Sequence, residues 1–212
     1  MIVLLDTGPA QPLDQCEKEI GYPVQQLLTP LTRYRLQRPD APFAIDNGAF
    51  SSFDRKAYVS LLEREKPRQK QCIFVTVPDV IAVDPHSGFP IGSARRTLEV
   101  FQHWHLKSEL FGWPLAFVVQ DGSQDFPIPW DKIAAIFVGG SNDFKVSLHS
   151  AHIIKAAQAL GKWVHVGRVN DSKRMSWCLE MGVDSIDGTG IARFTHMREK
   201  MNPENQYLKL FK

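Results

Sequence analysis

The chain has 212 residues, of which 43% are hydrophobic and 23% charged, the composition of an ordinary globular domain with one buried core. A net charge of +2 and a pI near 8.4 allow a polyanionic partner without requiring one. No apolar stretch is long enough to form a membrane-spanning helix. We therefore expect one domain over residues 1–212 and no integral membrane segment.

Three cysteines are spread along the chain, at Cys16, Cys72 and Cys178. None belongs to a Cys-x-x-Cys pair, which argues against a zinc site built from cysteines. The low cysteine content predicts a reducing compartment. The opening MIVLLDTGPA has neither a basic leader nor a small-residue cleavage site, so no signal peptide is indicated. We therefore expect a cytoplasmic protein.

Seven short runs rich in Val, Ile and Phe predict strands, at residues 2–5, 43–45, 73–77, 115–119, 135–138, 163–166 and 185–186. The runs are continuously apolar and do not alternate with polar residues. Continuous runs are typical of strands that are buried on both faces of a parallel sheet.

Helical patterns follow several of these strands, at residues 55–65, 93–105, 150–160 and 172–181. Ser150 and Ser172 are predicted N-caps, and Gly161 and Gly182 are predicted C-caps. Alternation of strands and helices predicts an α/β fold with parallel strands and right-handed crossovers.

A closed (β/α)8 barrel of the TIM type has eight strands and usually about 250 residues. With seven strand candidates in 212 residues, we predict a compact barrel of this type, either with short helices or with a reduced or missing eighth strand. An open doubly wound sheet is the alternative, although no GxGxxG follows the first strand.

The predicted strands repeatedly end in a polar residue close to a glycine. Both architectures bind ligands at the carboxyl ends of their strands, so these endings predict the rim of an active site. Glycine lets the backbone turn sharply or approach a ligand, although the same residues also serve as ordinary turn and cap residues. Four acids occupy such positions: Asp46, Asp79, Asp121 and Asp187.

Converging carboxylates suit a divalent metal, a nucleophile with an acid/base partner, or an amide-rich ligand. The seven histidines contain no HExxH pattern, so no metal site is predicted, although an all-carboxylate magnesium site stays open. His165, inside a predicted strand, is interpreted as a core or rim histidine. The pair role fits glycosyl transfer, where two carboxylates about 5–5.5 Å apart support a retaining double displacement. Asp46 and Asp187 are the candidates for that pair.

A second group of residues matches the hydrogen-bonding edge of guanine. That edge presents a carbonyl acceptor beside N–H and NH2 donors. A carboxylate such as Asp79 accepts from the donors, while the amide of Gln120 and a backbone N–H of Gly139 or Gly140 donate to the carbonyl. The pattern suits guanine but is not unique to it.

The order of these segments resembles the tRNA-guanine transglycosylase (queuine tRNA-ribosyltransferase) superfamily, and most closely its branch of 7-deazapurine DNA-modifying proteins from phages and bacterial modification islands. The resemblance covers residues 43–194 and rests on these segments in this order: IDNGAF, VPDV, VVQDG, FVGG, GRVN and SIDGT. It implies a barrel enzyme that exchanges guanine for a 7-deazaguanine base of the preQ0 type.

The resemblance also implies roles for single residues. Asp187 is the expected nucleophile on C1′ and Asp46 the general acid/base, although the two could exchange roles. The expected base-binding residues are Asp79, Gln120, Gly139, Gly140, Asn47 and Phe50. The expected nucleic-acid contacts are Lys145, Arg168 and Asn170, although Lys145 and Arg168 fit a strand-end salt bridge equally well.

The chain departs from the tRNA-acting enzymes after Asp187. Those enzymes resemble one another in a Cys-x-Cys-x-x-Cys…His zinc site at that point, whereas this chain has only His196 and no later cysteine. Ala49 also stands where the family has glycine. DNA is therefore the expected substrate, with exchange proceeding through an aspartyl glycosyl-enzyme.

Three alternatives stay open: a tRNA-acting enzyme without zinc, a small-molecule phosphate-binding barrel lyase or isomerase, and a nucleic-acid-binding module without activity. No P-loop or dinucleotide motif is present, so no cofactor is expected. The expected partners are DNA and a free 7-deazaguanine base. A domain of this size without a nucleic-acid-binding appendage also suggests a homodimer or accessory modification proteins. For a phage-encoded protein, the compartment is the host cytoplasm.

Overall fold

The computed structural model describes residues 1–32, 35–83 and 90–205. Those ranges contain ten strands: β1 (Ile2–Leu5), β2 (Val24–Leu28), β3 (Phe43–Ile45), β4 (Cys72–Thr76), β5 (Ile81–Val83), β6 (Pro90–Gly92), β7 (Leu115–Val119), β8 (Ala135–Val138), β9 (Trp163–Val166) and β10 (Ser185–Asp187). Eight of them close a parallel barrel in the order β1-β2-β3-β4-β7-β8-β9-β10, and β10 pairs back to β1. The predicted TIM-type α/β barrel is therefore confirmed.

The eighth strand is β2, which the sequence count of seven omitted. Two glutamines interrupt its apolar pattern, so the segment does not read as a buried strand. The structure buries Gln26, with 2% of its surface exposed, and satisfies its amide. Its Nε2 donates to the carbonyl of Thr7, and its Oε1 accepts from the backbone N–H of Gln37. Because those partners come from other loops, the buried amide of Gln26 is satisfied only in the folded chain, and the sequence pattern of β2 alone does not predict a buried strand.

Eight α-helices accompany the strands in the described ranges: α1 (Leu13–Ile20), α2 (Arg55–Glu65), α3 (Ala94–Trp104), α4 (Asn142–Lys145), α5 (Leu148–Ala159), α6 (Ser172–Met181), α7 (Thr189–Arg193) and α8 (Thr195–Met201). Helices α2 and α6 have the bounds that the sequence predicts, and α3 agrees to within one residue at each end. Four helices without a predicted counterpart, α1, α4, α7 and α8, are each too short to give a clear helical pattern.

Two predicted N-caps are each displaced. Helix α5 is capped by Ser147, whose hydroxyl accepts from the backbone N–H of Ser150. Helix α6 is capped by Asp171, whose carboxylate accepts from the N–H of Arg174. In both cases a preceding Ser or Asp supplies a side-chain oxygen to a free N–H of the first turn, which the prediction overlooked. Gly182 ends α6 in the left-handed conformation, as predicted.

Barrel residues divide between two apolar clusters. In β1, Val3 and Leu5 pack into the large cluster that includes the buried faces of the helices, whereas Leu4 belongs to a small inner cluster with Phe74. This alternation is the expected result of successive side chains pointing to opposite faces of a strand. The inner cluster fills the barrel, so a ligand has room only at an end.

The hairpin formed by β5 and β6 is antiparallel and lies outside the barrel order. It follows β4 and returns the chain to α3, where the N–H of Ser93 bonds to the carbonyl of Val80. Ile81 and Gly92 from this hairpin line the cavity at the barrel mouth. The hairpin was not predicted, and it covers one side of the site.

Candidate active site

A cavity of about 280 Å³ opens at the carboxyl ends of the barrel strands. All eight barrel strands are parallel, so residues that follow them meet at this one end. Nine predicted site residues line the cavity: Asp46, Asn47, Phe50, Asp79, Gly139, Gly140, Lys145, Arg168 and Asp187. Gln120 and Asn170, the other two predicted residues, are not among its lining.

Asp46 follows β3 directly, and the loop after it shapes its carboxyl group. Gly48, at φ 73°, has the left-handed conformation that favours glycine, and its N–H donates to Asp46 Oδ2 at 3.3 Å. Burial, reinforced by the nearby carboxylates of Asp187 and Asp79, raises the pKa of Asp46 to about 7. A carboxyl group with a pKa near neutrality is suited to both giving and taking a proton.

Asp79 is held by the loop that carries Asp46. Asn47 Nδ2 donates to Asp79 Oδ1 at 2.9 Å and to the carbonyl of Val77 at 3.0 Å. The amide oxygen of Asn47 accepts from the N–H of Ala49 at 2.7 Å. Burial raises the pKa of Asp79, and the hydrogen bond from Asn47 partly offsets this. Asn47 therefore joins the loops after β3 and β4 and orients the second acid.

Asp187 is the last residue of β10 and is fixed from two sides. His165 Nε2 lies 2.9 Å from Asp187 Oδ2, and the backbone N–H of Arg168 donates to Oδ1 at 3.2 Å. The side chain of Asp187 remains 14% exposed, so the cavity can reach it. A carboxylate held by two N–H donors and open on one side has the geometry of a positioned nucleophile.

A hydrogen-bonded chain extends from Asp187 into the barrel. Trp163 Nε1 donates to Ser185 Oγ at 2.8 Å, and Ser185 Oγ lies 2.9 Å from His165 Nδ1. When neutral His165 donates from Nε2 to Asp187, its Nδ1 must accept, so the Ser185 hydroxyl donates to it. The chain thereby selects one tautomer of His165.

His165 is fully buried, in agreement with its interpretation as a core histidine, but it also contacts the candidate nucleophile. Its ring packs against the rings of Phe74 and Phe137, with centroid distances of 5.1 Å and 4.5 Å. The sequence contained a signal for the contact. Ser185 and Asp187 are two residues apart on β10 and share a face, and Ser185 pairs in register with His165.

The cationic side of the cavity comes from β8 and β9. Lys145 lies in α4 after the Gly139-Gly140 turn and is 1% exposed. Burial, with a further contribution from Arg168, lowers the pKa of Lys145 to about 8. Within the described part of the chain, its Nζ has no hydrogen-bond partner. In the same ranges the lysine therefore forms no strand-end salt bridge, and its contact with a nucleic acid stays a prediction.

Arg168 and Phe50 meet across the mouth. The guanidinium carbon of Arg168 lies 4.0 Å from the centroid of the Phe50 ring, a cation–π contact. Phe50 is 48% exposed. Arg168 has φ 60°, an uncommon conformation for a residue other than glycine, and strained backbone of this kind often accompanies functional sites. The pair offers an exposed ring and a positive charge at the rim.

Gln120 and Asn170, the two predicted residues that do not line the cavity, form hydrogen bonds next to segments that do. Gln120 is fully buried, and its Nε2 donates to Thr97 Oγ1 at 2.6 Å. A Cβ at position 92 would lie 2.0 Å from Gln120 Oε1, so Gly92 separates this amide from the cavity by a single backbone layer. Asn170 Oδ1 accepts from the N–H of Gly190 at 2.7 Å and thereby anchors the loop after Asp187.

Asp121, the remaining strand-end acid, is engaged by a neighbouring loop. Its carboxylate accepts from the hydroxyl of Ser141 at 2.6 Å and from the backbone N–H of Ser141 at 2.7 Å. Gly140, at φ 74°, has no room for a Cβ, which would lie 2.4 Å from Asp121 Oδ2. Asp121 therefore fixes the glycine turn that lines the cavity.

Asp6 is a fourth acid in the lining that the sequence analysis did not select. Its Oδ1 accepts from the hydroxyl of Thr32 at 2.9 Å. It follows β1 directly, as Asp46 follows β3, so the strand-end rule applied to the first strand would have found it. Thr29 and Arg193 also line the cavity without having been predicted, and no sequence signal identified them.

Among the residues that the structure describes, no group of three or more His, Cys, Asp or Glu side chains is arranged to hold a metal ion. Within the same ranges, no helix has the length and apolar character needed to cross a bilayer.

No family model and no curated protein matches the sequence. Among solved structures, the chain is similar to the Amycolatopsis orientalis BexX/CysO complex, with 13% identity, a TM-score of 0.53 and coverage of 99% of this chain and 89% of that one. A native KDPGal structure has 12% identity and a TM-score of 0.47, with coverage of 100% of this chain and 96% of that one. A mandelate oxidase mutant with benzaldehyde has 13% identity and a TM-score of 0.48, with coverage of 98% of this chain and 73% of that one. At such low identity the similarity shows the fold alone, and it places the chain among TIM-type α/β barrels.

Proposed function

We propose that this barrel is a base-exchanging transglycosylase that replaces guanine in DNA with a 7-deazaguanine of the preQ0 type. The observation that carries the proposal is a pair of unlike carboxyl groups in one cavity. Asp187 is held by the N–H groups of His165 and Arg168, whereas the pKa of Asp46 is raised to about 7. Two acids in different surroundings within one cavity suit the two roles of a retaining double displacement.

In the first half-reaction, a carboxylate oxygen of Asp187 attacks C1′ of the target nucleotide, and the bond from C1′ to N9 of guanine breaks. Asp46 gives its proton to the departing base. The product is a glycosyl ester on Asp187. In the second half-reaction, Asp46 takes the proton from N9 of the incoming base, which attacks C1′ and releases Asp187. Two inversions at C1′ retain its configuration.

Asp79 and the Gly139-Gly140 turn are placed to recognise the base. Asn47 fixes the carboxyl group of Asp79, which can accept from the N–H donors of a guanine edge. Asp121 fixes the glycine turn through Ser141, and the absence of side chains there lets a flat ring approach the backbone. Both exchanging bases share this edge, so the same contacts serve both half-reactions.

The DNA backbone and the flipped nucleotide are assigned to the rim. A base inside a duplex hides its glycosidic bond, so the nucleotide must leave the stack or belong to a single strand. The exposed ring of Phe50 can stack on a base, and Arg168 can pair with a phosphate. A net charge of only +2 gives weak overall attraction to DNA, which fits assistance from a second copy or an accessory protein.

The proposal is tested by incubating the protein with a radiolabelled preQ0-type base and with either DNA or tRNA. Incorporation into DNA supports it, and incorporation into tRNA alone replaces it with the tRNA-acting alternative. Asp131→Asn serves as a matched control for substitutions of Asp46 and Asp187, because Asp131 is an exposed acid before β8, at the opposite end of the barrel. No incorporation into either polymer, together with phosphate binding and no purine affinity, would indicate a small-molecule barrel enzyme.

A further inference from the structure

The amine of Lys145 is the one charged group of the cavity whose burial the proposed exchange does not explain. The residue is 1% exposed, lines the cavity, and its Nζ has no hydrogen-bond partner in the described ranges. A buried lysine with a purely structural role is normally paired with an acid, and Lys145 has no such pair in the described ranges.

Asp187 and Asp121, the acids that act electrostatically on Lys145, already have other partners. Asp187 accepts from His165 and from the backbone of Arg168, and Asp121 accepts twice from Ser141. Both acids favour the charged amine, but burial and the positive charges of Arg168 and Arg174 oppose it. The balance lowers the pKa of Lys145 to about 8.

A lowered pKa changes what the amine can do. At pH 7 about a tenth of such an amine is unprotonated, compared with less than about a thousandth of an ordinary lysine. Desolvation of a lysine in a protein cavity is a recognised way to activate it as a nucleophile towards carbonyl carbon. Arg168 lines the same cavity and supplies a positive charge for an anionic group on the same molecule.

We infer that Lys145 is an imine-forming nucleophile for an aldehyde that carries a phosphate group. The inference does not depend on base exchange. Two sources share this chemistry: the open-chain C1′ aldehyde of an abasic deoxyribose in DNA, and a free aldehyde phosphate. The first would lie beside Asp187, the group assigned to attack C1′, and would give the same cavity a second reaction at the same carbon.

The reaction is a condensation that needs no external oxidant or reductant. The lone pair of Lys145 Nζ attacks the carbonyl carbon, and one amine proton moves to the carbonyl oxygen to give a carbinolamine. Its hydroxyl group takes one proton from a cavity acid and leaves as water, and the iminium returns its N–H proton to that acid. The product is a carbon–nitrogen double bond between substrate and Lys145. The carboxyl group of Asp46, with its pKa of about 7, is the proton donor available in the cavity. Added borohydride reduces this imine to a stable secondary amine.

The test treats the protein with sodium cyanoborohydride in the presence of either an oligonucleotide containing one abasic site or glyceraldehyde 3-phosphate. Peptide mass spectrometry then locates the modified lysine. We expect Lys145 to be modified at least tenfold faster than any exposed lysine in one or both arms, and the reactive arm identifies the source. Because the adduct is mapped on the wild-type protein, this measurement does not depend on whether any variant folds.

Two variants complete the experiment. Lys145→Met should abolish the rapid adduct while keeping the circular dichroism spectrum of a folded barrel. Lys132→Met, which removes an exposed lysine before β8, should leave the adduct unchanged. Equal modification of all exposed lysines with Lys145 unmodified, or an adduct that survives Lys145→Met, would overturn the inference. Because the readout is a covalent bond to lysine, a failure here is distinct from a failure of base exchange.

Discussion

Two regions of the molecule bury charged side chains, and they treat those charges in opposite ways. Between α1 and α8, Arg198 is buried with its Nε 2.5 Å from Glu19 Oε2. The other two guanidinium nitrogens of Arg198 donate to the carbonyls of Ile191 and Ala192 and to Thr195 Oγ1. At the barrel mouth, the amine of Lys145 is buried and has no hydrogen-bond partner among the described residues, and the carboxyl group of Asp46 lies close to two other acids.

The pKa directions follow from this difference. Burial alone raises the pKa of Glu19, but hydrogen bonds from Gln15 and Arg198 outweigh it and leave a lowered pKa. Burial dominates at the mouth, where it raises the pKa of Asp46 and lowers that of Lys145. A matched pair stabilises the fold in its charged state, whereas unmatched groups are held near neutrality and can exchange protons. The contrast separates a structural use of buried charge from a chemical one.

The largest expected effect is the loss of activity in Asp187→Asn. The amide cannot form the glycosyl ester, so base exchange should fall on the order of 10⁶-fold, as expected when a covalent nucleophile is removed. The measurements are label incorporation and the amount of denaturation-resistant protein–DNA adduct. Asp131→Asn should behave like the wild type. An adduct that persists at the wild-type level in Asp187→Asn would assign the nucleophile to another residue, with Asp46 the first candidate.

Asp46→Asn should slow adduct formation about 10²–10⁴-fold, because the departing base loses its proton donor. In the wild type, this rate should fall as the pH rises through about 7, where Asp46 ionises. The variant should lack that pH dependence. Single-turnover rates between pH 5 and pH 9 provide the measurement, and the same falling limb in the variant would rule out Asp46 as the acid.

The same substitution should stabilise the fold. The pKa of Asp46 is about 7 in the folded protein and 3.8 ordinarily, so the folded state binds this proton more tightly than the unfolded state. Ionisation therefore destabilises the protein as the pH rises from about 4 to above 7. At pH 8, Asp46→Asn should gain about 4 kcal/mol, and the gain should vanish below pH 4. Denaturant unfolding at both pH values measures it.

The opposite sign is expected at the α1–α8 contact. Arg198→Met leaves the carboxylate of Glu19 buried without its partner and should cost about 3–5 kcal/mol of unfolding free energy. The double variant Glu19→Met with Arg198→Met should recover most of that loss, because an apolar pair replaces the ion pair. Urea unfolding of the single and double variants measures both. A single variant as stable as the wild type would show that the two regions do not differ as described.

The smallest expected effects concern the hydrogen-bonded chain behind Asp187, and the larger of them belongs to the hydrogen bond from His165 to Asp187. His165→Phe keeps an aromatic ring beside Phe74 and Phe137 but removes the donor, so kcat should fall about 10–100-fold, the value of one hydrogen bond to a charged group. KM should change less than twofold, because His165 lies beneath the nucleophile and not against the base. A role in packing alone would change the melting temperature and leave kcat of the folded protein unaltered.

Ser185→Ala provides the matched control for that chain. It leaves His165 in place but removes the hydroxyl group that accepts from Trp163 and donates to His165 Nδ1. Its effect on kcat should have the same direction as that of His165→Phe and be smaller. A kcat equal to the wild type would show that the tautomer is fixed without Ser185.

The sequence by itself determined the α/β class of the fold and the location of its candidate site. Short apolar runs such as those of β7 and β8 are too continuous to face water on either side, so they specify parallel strands inside an α/β architecture, and the closure of the barrel is a finding of the structure. Parallel strands direct all their carboxyl ends to one place, and Asp46, Asp79 and Asp187 could therefore be predicted to meet there. These conclusions follow from patterns within a few residues of each strand.

Only the tertiary structure decided what those residues experience. The eighth strand depends on partners for Gln26 that come from two other loops. Three features of the site depend on how segments far apart in the sequence pack together. They are the raised pKa of Asp46, the contact of His165 with Asp187, and the burial of the Lys145 amine without a partner in the described ranges. Burial and electrostatic interactions depend on distance through the folded protein. Residue types placed the chemical groups, and packing set their protonation.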